Sequence, residues 1–545
     1  MRFSGFASFL SRWPLSRWLP SAFFVLVLLL GLRLFDDYGV SWDEQYDHYN
    51  GAVNAKYVTE RLAPALVRNN PAAAAIEPLA GYSDRDHGPA FEYPVFGLTQ
   101  LLGLDHDSRP TYLLRHLCVF LVFYGGLLAF YGLVRRRYGD WRLGLLGAAA
   151  LWGTPRLFAE SFYNAKDLTF LAAFTLGMYT LSRLLHRPHW HRALLHGLAL
   201  GAAVALRVTG VLLVPLTLVG LGLTWLRTPA ERRRPLLLAA LLWLPAAVPT
   251  ALLFWPWLWE APWTNLTTAF RNLSQFTRWG GTVLYRGELL PASALPWHYA
   301  PTWIALTTPL AYLVAFGLGL LAFLARLRRR LAYLWETEAG TLDLLTVAWL
   351  LGPLLAVVWF DSVLYDGWRH LYFVYPALVL LALGAVQQLA RLSKASSSLA
   401  RRGAQATLLL LGAGALEPGW RIVRDHPRQQ VYFNQLISAA EVERGFERDY
   451  WGLGYRAGLE WILRHDHSPQ ISVSSSFSEV VRNNLLLLPP RDRTRFVVKP
   501  PRQARYFLTN YRWHPQMYTY ADSVGWEVYA EYSRGIRIMS VYRRD

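Results

Sequence analysis

The chain has 545 residues, 53% of them hydrophobic and only 17% charged, with a net charge of +18. Soluble domains carry about 25% charged residues; this deficit lies in long uncharged stretches, which excludes an ordinary soluble domain and points to a polytopic membrane protein. In a soluble chain the basic excess would suggest nucleic acid, but here it falls in short Arg clusters between apolar runs, so it marks membrane topology and no nucleic-acid partner is expected.

A helix needs about 20 apolar residues to cross roughly 30 Å of hydrocarbon. Candidate spans are 18–35, 112–134, 141–158, 168–185, 192–207, 209–226, 236–258, 302–325, 343–362, 371–390 and 404–418. The first follows Arg2, Arg12 and Arg17 and is too long for a signal-peptide core, so it reads as a retained helix. Residues 94–103 are apolar but too short to cross and read as an interfacial or re-entrant helix. With the N-terminus cytoplasmic, Arg135 to Arg137, Arg183 to Arg192, Arg227 to Arg234, Arg326 to Arg330 and Arg391 to Arg402 all fall inside. The opposite loops, 36–93, 159–167, 259–301 and 363–370, carry most acids together with Trp, Tyr and Pro. After Glu417-Pro418-Gly419 an amphipathic helix over 444–465 and short strands near 471–475, 495–498, 505–509, 526–529 and 536–542 are expected. The predicted fold is therefore a polytopic α-helical membrane module, residues 1–418 with about eleven transmembrane helices. A small extracytoplasmic α/β domain, 419–545, follows it. The expected location is the plasma (bacterial inner) membrane. Cys118 is the only cysteine, which excludes an intrachain disulfide framework.

The candidate chemistry lies on the outer face. Gly39-Val40-Ser41-Trp42-Asp43-Glu44 places two carboxylates just past the first apolar run. A carboxylate there suits deprotonation of a hydroxyl at the membrane surface, or is simply a solvated loop acid. The same loop holds Asp84-Arg85-Asp86-His87-Gly88-Pro89 and Glu92. The next outer segment is Asn164-Ala165-Lys166-Asp167; its last two residues could act in a site or serve as an interface anchor and a helix-start carboxylate. Arg207 lies between two spans, and Asp366-Gly367-Trp368-Arg369-His370 precedes the next-to-last. Cations at these points can hold a leaving phosphate or snorkel to headgroups. Trp42, Trp297 and Tyr299 are candidates for stacking on sugar rings, while Trp255, Trp257 and Trp259 suit an interface belt. His87 and His298 lack paired metal-ligand spacing, so no metal is assigned.

Together these motifs resemble the GT-C superfamily of integral membrane glycosyltransferases, and within it the protein-mannosyltransferase-like and aminoarabinose-transferase-like group, glycosyltransferase family 39. The resemblance rests on Asp43-Glu44 in the first outer loop, His87-Gly88-Pro89 after it, Asn164-Ala165-Lys166-Asp167 at a helix start, and a polytopic core followed by an outer domain. It implies inverting transfer of a sugar from a polyprenyl-phosphate donor to a hydroxyl or amine of a protein, lipid or glycan. Asp43 would be the base. Lys166, Arg369, Arg207 and His370 would bind the donor phosphate, and Glu44, Asp86, His87, Glu92 and Asp167 would organise the site or the acceptor. No cofactor is implied; an oligosaccharyltransferase-like member would place a divalent ion between Asp43 and Asp167, which ranks lower. The competing readings are a lipid or glycan transporter or flippase, and a non-catalytic carbohydrate-binding membrane subunit.

Overall fold

The computed structural model describes residues 15–274, 278–512, 514–518 and 524–544; Arg2 and Arg12 lie outside them. Among the described residues eight helices are long and apolar enough to cross a membrane. They are Leu15–Leu34, Ser108–Tyr138, Asp167–His186, Val208–Arg227, Arg234–Phe254, Leu310–Arg329, Glu338–Trp359 and Arg369–Leu392. At about 1.5 Å rise per residue, 20 residues span the hydrocarbon. The chain is an integral membrane protein.

The other expected spans are shorter or interrupted. The 141–158 run stops at Trp152, and Pro155 starts a separate helix, Pro155–Tyr163, at the first position where proline is tolerated. The 302–325 run divides at Thr308-Pro309, with Thr308 extended at ψ 137° as a residue before proline prefers, and its second part is the Leu310–Arg329 span already counted. The 192–207 and 404–418 runs form Trp190–Leu206 and Ser398–Gly414, each of 17 residues. The short apolar run forms Glu92–Leu101.

The longest helix shows how the ends are fixed. The Asp107 side chain accepts from Arg109 N at 3.2 Å, and Gly139 closes the helix in the left-handed region at φ 69°. Arg135, Arg136 and Arg137 occupy the last turn, where the helix dipole favours cations. Arg137 grips Asp343 with two bonds, at 2.5 and 2.6 Å, and Arg326 joins at 3.3 Å. His186 pairs with Glu338, and Arg227 donates to Thr337 O. Four of the Arg-rich connections thus meet at one end of the bundle.

The sheet domain packs at the other end. Its strands are β3 (Ile471–Ser475), β4 (Phe496–Val498), β5 (Tyr506–Thr509), β6 (Trp526–Ser533) and β7 (Ile536–Arg543), in the order β4-β3-β5-β7-β6; β1 (Thr282–Tyr285) and β2 (Glu288–Pro291) form a separate hairpin. β3 pairs parallel with β4 and β5, while β7 pairs antiparallel with β5 and β6. Helix Gly454–His465 covers the sheet through Tyr455, Leu459 and Ile462. Residues before it pack elsewhere: Val431, Phe433, Phe446, Tyr450 and Trp451 belong to the bundle core, so that core reaches past the composition change at 418.

This docking sets the path of residues 36–42. Arg456 donates to Asp36 O and Tyr38 O at 2.6 and 2.9 Å, Asn483 to Ser41 O at 3.1 Å, and Trp42 N to Trp451 O at 3.1 Å. The approach at Gly39 is close enough that a Cβ would lie 2.4 Å from Asn484 Oδ1. Asp43 therefore leaves a clamped segment.

Candidate active site

Asp43 stands at the start of helix Glu44–Leu62, its side chain 22% exposed. Its Oδ2 lies 3.0 Å from Arg369 Nη1. The same nitrogen lies 3.2 Å from Asp167 Oδ2, and Arg369 Nη2 lies 3.2 Å from Asp366 Oδ2. One buried guanidinium thus serves three carboxylates that enter from separate parts of the chain. Its plane also rests on Trp451 and Tyr365, 4.6 and 5.0 Å from the ring centres. Burial alone would push the Asp43 carboxyl up; Arg369 and then Lys166 outweigh it and hold Asp43 below the usual carboxylate range. Asp43 is therefore ionised at neutral pH.

Asp167 is placed by its neighbours in sequence. Asn164 ends the preceding helix, its Oδ1 accepting from Asp167 N at 2.9 Å and its Nδ2 donating to Asp167 Oδ2 at 3.0 Å. Nδ2 also donates to Glu160 Oε2 at 2.7 Å. Glu160 Oε1 accepts from Tyr372 and Tyr450 at 2.8 and 3.1 Å. Burial, opposed by Asn164 and Tyr372, raises Glu160 to about 7. Asp167 Oδ1 pairs with Arg207 Nη1 at 2.8 Å. Lys166 turns to Asp47 at 2.6 Å. Burial would lower its amine, but Asp47 and Asp43 hold it well above its ordinary value, so it is charged.

The loop before helix Glu92–Leu101 closes the far side. Gly88 packs on the end of helix Trp190–Leu206, where a Cβ would lie 2.1 Å from Ala205 O, and Ala90 N donates to that carbonyl at 3.2 Å. This contact sets His87 next to the turn that carries Arg207. His87 Nδ1 lies 3.4 Å from Asp86 and 3.6 Å from Asp84. Burial and then Lys166 lower it to about 4, so the ring is neutral. Arg278 bonds Asp86 and reaches Asp84 at 2.8 Å, while Asn272 holds Asp86 at 2.7 Å. The adjoining Trp279 stacks on Tyr365 with ring centres 4.4 Å apart, and Tyr365 meets the His370 ring edge-on at 4.6 Å. Arg369 Nε and His370 Nδ1 are buried without a hydrogen-bond partner among the described residues.

The pocket thus brings together Asp43, Lys166, Asp167, Arg207, Arg369 and His370, with Asp86 and His87 at its edge. Other expected residues stand elsewhere. Glu44 turns inward, with His116 Nε2 at 2.9 Å and Ser41 N at 2.6 Å, and braces the Asp43 segment. Glu92 is sealed against Arg115 at 2.7 Å, tying helix Glu92–Leu101 to Ser108–Tyr138. One expectation for sugar stacking is corrected. Tyr299 is 1% exposed, packed on Tyr285 and Trp303, so its face is closed to a ligand. Trp297 is 70% exposed and its ring meets the neighbouring His298. Trp42 faces Phe477 and Arg512 of the outer domain. The residues without an expected role are Asp47, Glu160, Asn164, Arg278, Trp279 and Arg512. Their signal is tertiary: Lys166 has no countercharge nearby in sequence other than Asp167, which already serves two arginines.

Residues 86–259 match the family model of the dolichyl-phosphate-mannose-protein mannosyltransferases. The matched stretch contains Asp86, His87, Glu92, Lys166, Asp167 and Arg207, and the pocket described above is built around it. Over this stretch the chain is similar to those membrane glycosyltransferases. Two solved structures align with much of this chain. The Cupriavidus metallidurans ArnT bound to undecaprenyl phosphate is 12% identical, with 96% of this chain and 97% of that one covered and a TM-score of 0.46. The Archaeoglobus fulgidus oligosaccharyltransferase, in complex with Zn and sulfate, is 12% identical, covers 85% and 61%, and has a TM-score of 0.43. No curated protein sequence matches the chain.

Proposed function

We propose that the enzyme transfers a sugar from a polyprenyl-phosphate donor to an acceptor hydroxyl or amine on the extracytoplasmic side, in one inverting displacement. The observation that carries this reading is the ionised, partly exposed Asp43 carboxylate, 3.0 Å from Arg369 within a ring of cations. The acceptor oxygen attacks the anomeric carbon, and its proton passes to Asp43. The bond from that carbon to the phosphate oxygen breaks, and the lipid phosphate leaves with the electron pair. Lys166 and Arg207 keep 25% and 19% of their side chains exposed and face the arriving phosphate, and the buried Arg369 adds its charge behind them. Donors of this kind, fixed before the charge develops, contribute on the order of 2–4 kcal/mol each. No general acid is needed, because a phosphate monoester leaves as a stable anion.

The reading is metal-independent. Its support is that Arg369 Nη1 fills the space between Asp43 and Asp167, where a divalent ion bridging them would have to sit. The test is a transfer assay with polyprenyl-phosphate sugars, scored for lipid phosphate released and for the anomeric configuration of the product. Inverted product with undiminished rate in excess chelator is the expected result. Retained configuration, or loss of rate restored by magnesium or manganese, would overturn the mechanism.

A further inference from the structure

Arg512 follows β5 and comes from the outer domain, yet its side chain is only 4% exposed because it reaches into the bundle end. Its Nη2 is bonded to Asp366 Oδ1, and its Nη1 donates to Tyr450 O at 3.1 Å. The guanidinium carbon lies 5.9 Å from the ring centre of Trp42, the residue before Asp43. The other oxygen of Asp366 takes Arg369 Nη2 at 3.2 Å, and Arg369 Nη1 takes Asp43 at 3.0 Å. The sequence of contacts runs from the outer domain to the proposed base through alternating charges: Arg512, Asp366, Arg369, Asp43.

Asp366 carries a second mark. Its backbone sits in the left-handed region at φ 57°, with Gly367 beside it at φ 71°. Aspartate is one of the few non-glycine residues that adopt this region, and its surroundings hold it there. The surroundings are two arginines, one on each carboxylate oxygen. The distorted turn presents the carboxylate between them and so ties the start of helix Arg369–Leu392 to the outer domain.

We propose that Arg512 is a positioning residue for glycosyl transfer: by neutralising one side of Asp366 it sets how far the Arg369 guanidinium leans toward Asp43 and Asp167. This rests on the reading of the Asp43–Arg369 site given above. Without Arg512, Asp366 keeps a buried, half-paired charge whose nearest compensation is Arg369. A buried charge deprived of its partner attracts the remaining cation strongly. Arg369 is then drawn toward Asp366 and away from the pocket.

The test is binding of undecaprenyl phosphate to the purified full chain in detergent, with thermal unfolding as a check on folding. Arg512→Gln weakens binding about tenfold, within the range of coupled buried pairs. Adding Asp366→Asn to Arg512→Gln removes the stranded charge and restores binding to within about threefold of wild type. Arg512→Lys, which keeps the charge, loses less than Arg512→Gln. A merely structural role predicts the opposite, with the second substitution compounding the loss. Arg512→Gln binding like wild type, or a double variant no better than the single, overturns the inference. If wild type binds and Arg369→Ala does not, such a result counts against Arg512 alone. A wild-type chain that does not bind the lipid overturns both this inference and the reading of the site beneath it.

Discussion

At the scale of single residues, the site is an exercise in charge sharing. Arg369 answers three carboxylates, and the most exposed of the three is Asp43. The cations keep Asp43 deprotonated at neutral pH, so it is available as a base without prior activation. Glu160 is the contrasting case. It is buried, receives hydrogen bonds from neutral donors only, and has its pKa raised from 4.5 to about 7. A carboxyl raised on folding binds its proton more tightly in the native state. Its favourable contribution is therefore complete below pH about 4.5 and is lost as pH rises through about 7. The loss is on the order of 3 kcal/mol. Asp47 and Glu447 are raised in the same range, so thermal unfolding followed from pH 5 to 8 declines in wild type and declines less steeply in Glu160→Gln. Parallel curves for the two proteins contradict the assignment.

At the scale of elements, the pocket is made where helices stop. The break at Asn164 to Lys166 aims Asp167 and Lys166 to different partners, and the turn after Leu206 presents Arg207. Gly88 lets the 84–89 loop rest on that turn at a distance no side chain allows. Gly88→Ala forces the two apart, so it lowers the unfolding midpoint by an amount corresponding to about 1–3 kcal/mol and slows transfer. An unchanged midpoint contradicts the contact. Eight of the eleven expected spans were legible because lipid demands long apolar runs, and the five strands because short apolar and aromatic runs lie between turn residues. The order of Asp43, Lys166, Asp167 and Arg369 along the chain also indicated one pocket. What could not be read was pairing. Lys166 bonds Asp47, not Asp43, and Glu44 and Glu92 serve buried partners. Which carboxylate meets which cation depends on helix rotation and on the outer domain, neither of which leaves a local pattern. Tyr299 misled for the same reason: an aromatic in an outer loop reads alike whether it faces a sugar or a core.

At the scale of the whole molecule, the Arg-rich end and the pocket end of the bundle are opposite poles, and the outer domain sits on the pocket pole. We take the Arg-rich pole as cytoplasmic, as the distribution of basic residues between spans implies. Cys118 is the only cysteine, so orientation is directly measurable in a Cys118→Ser background. A membrane-impermeant maleimide added to intact cells labels Trp297→Cys, which lies on the pocket pole, and spares Arg402→Cys until the membrane is opened. The reverse pattern inverts the topology. We propose Asp43 as the base of a lipid-phosphate sugar transfer. It is tested most directly by Asp43→Asn, assayed side by side for undecaprenyl phosphate binding and for sugar transfer. The expected result is retained binding with turnover reduced by about 10²–10⁴. Turnover within a few-fold of wild type in a folded, lipid-binding Asp43→Asn enzyme would contradict it.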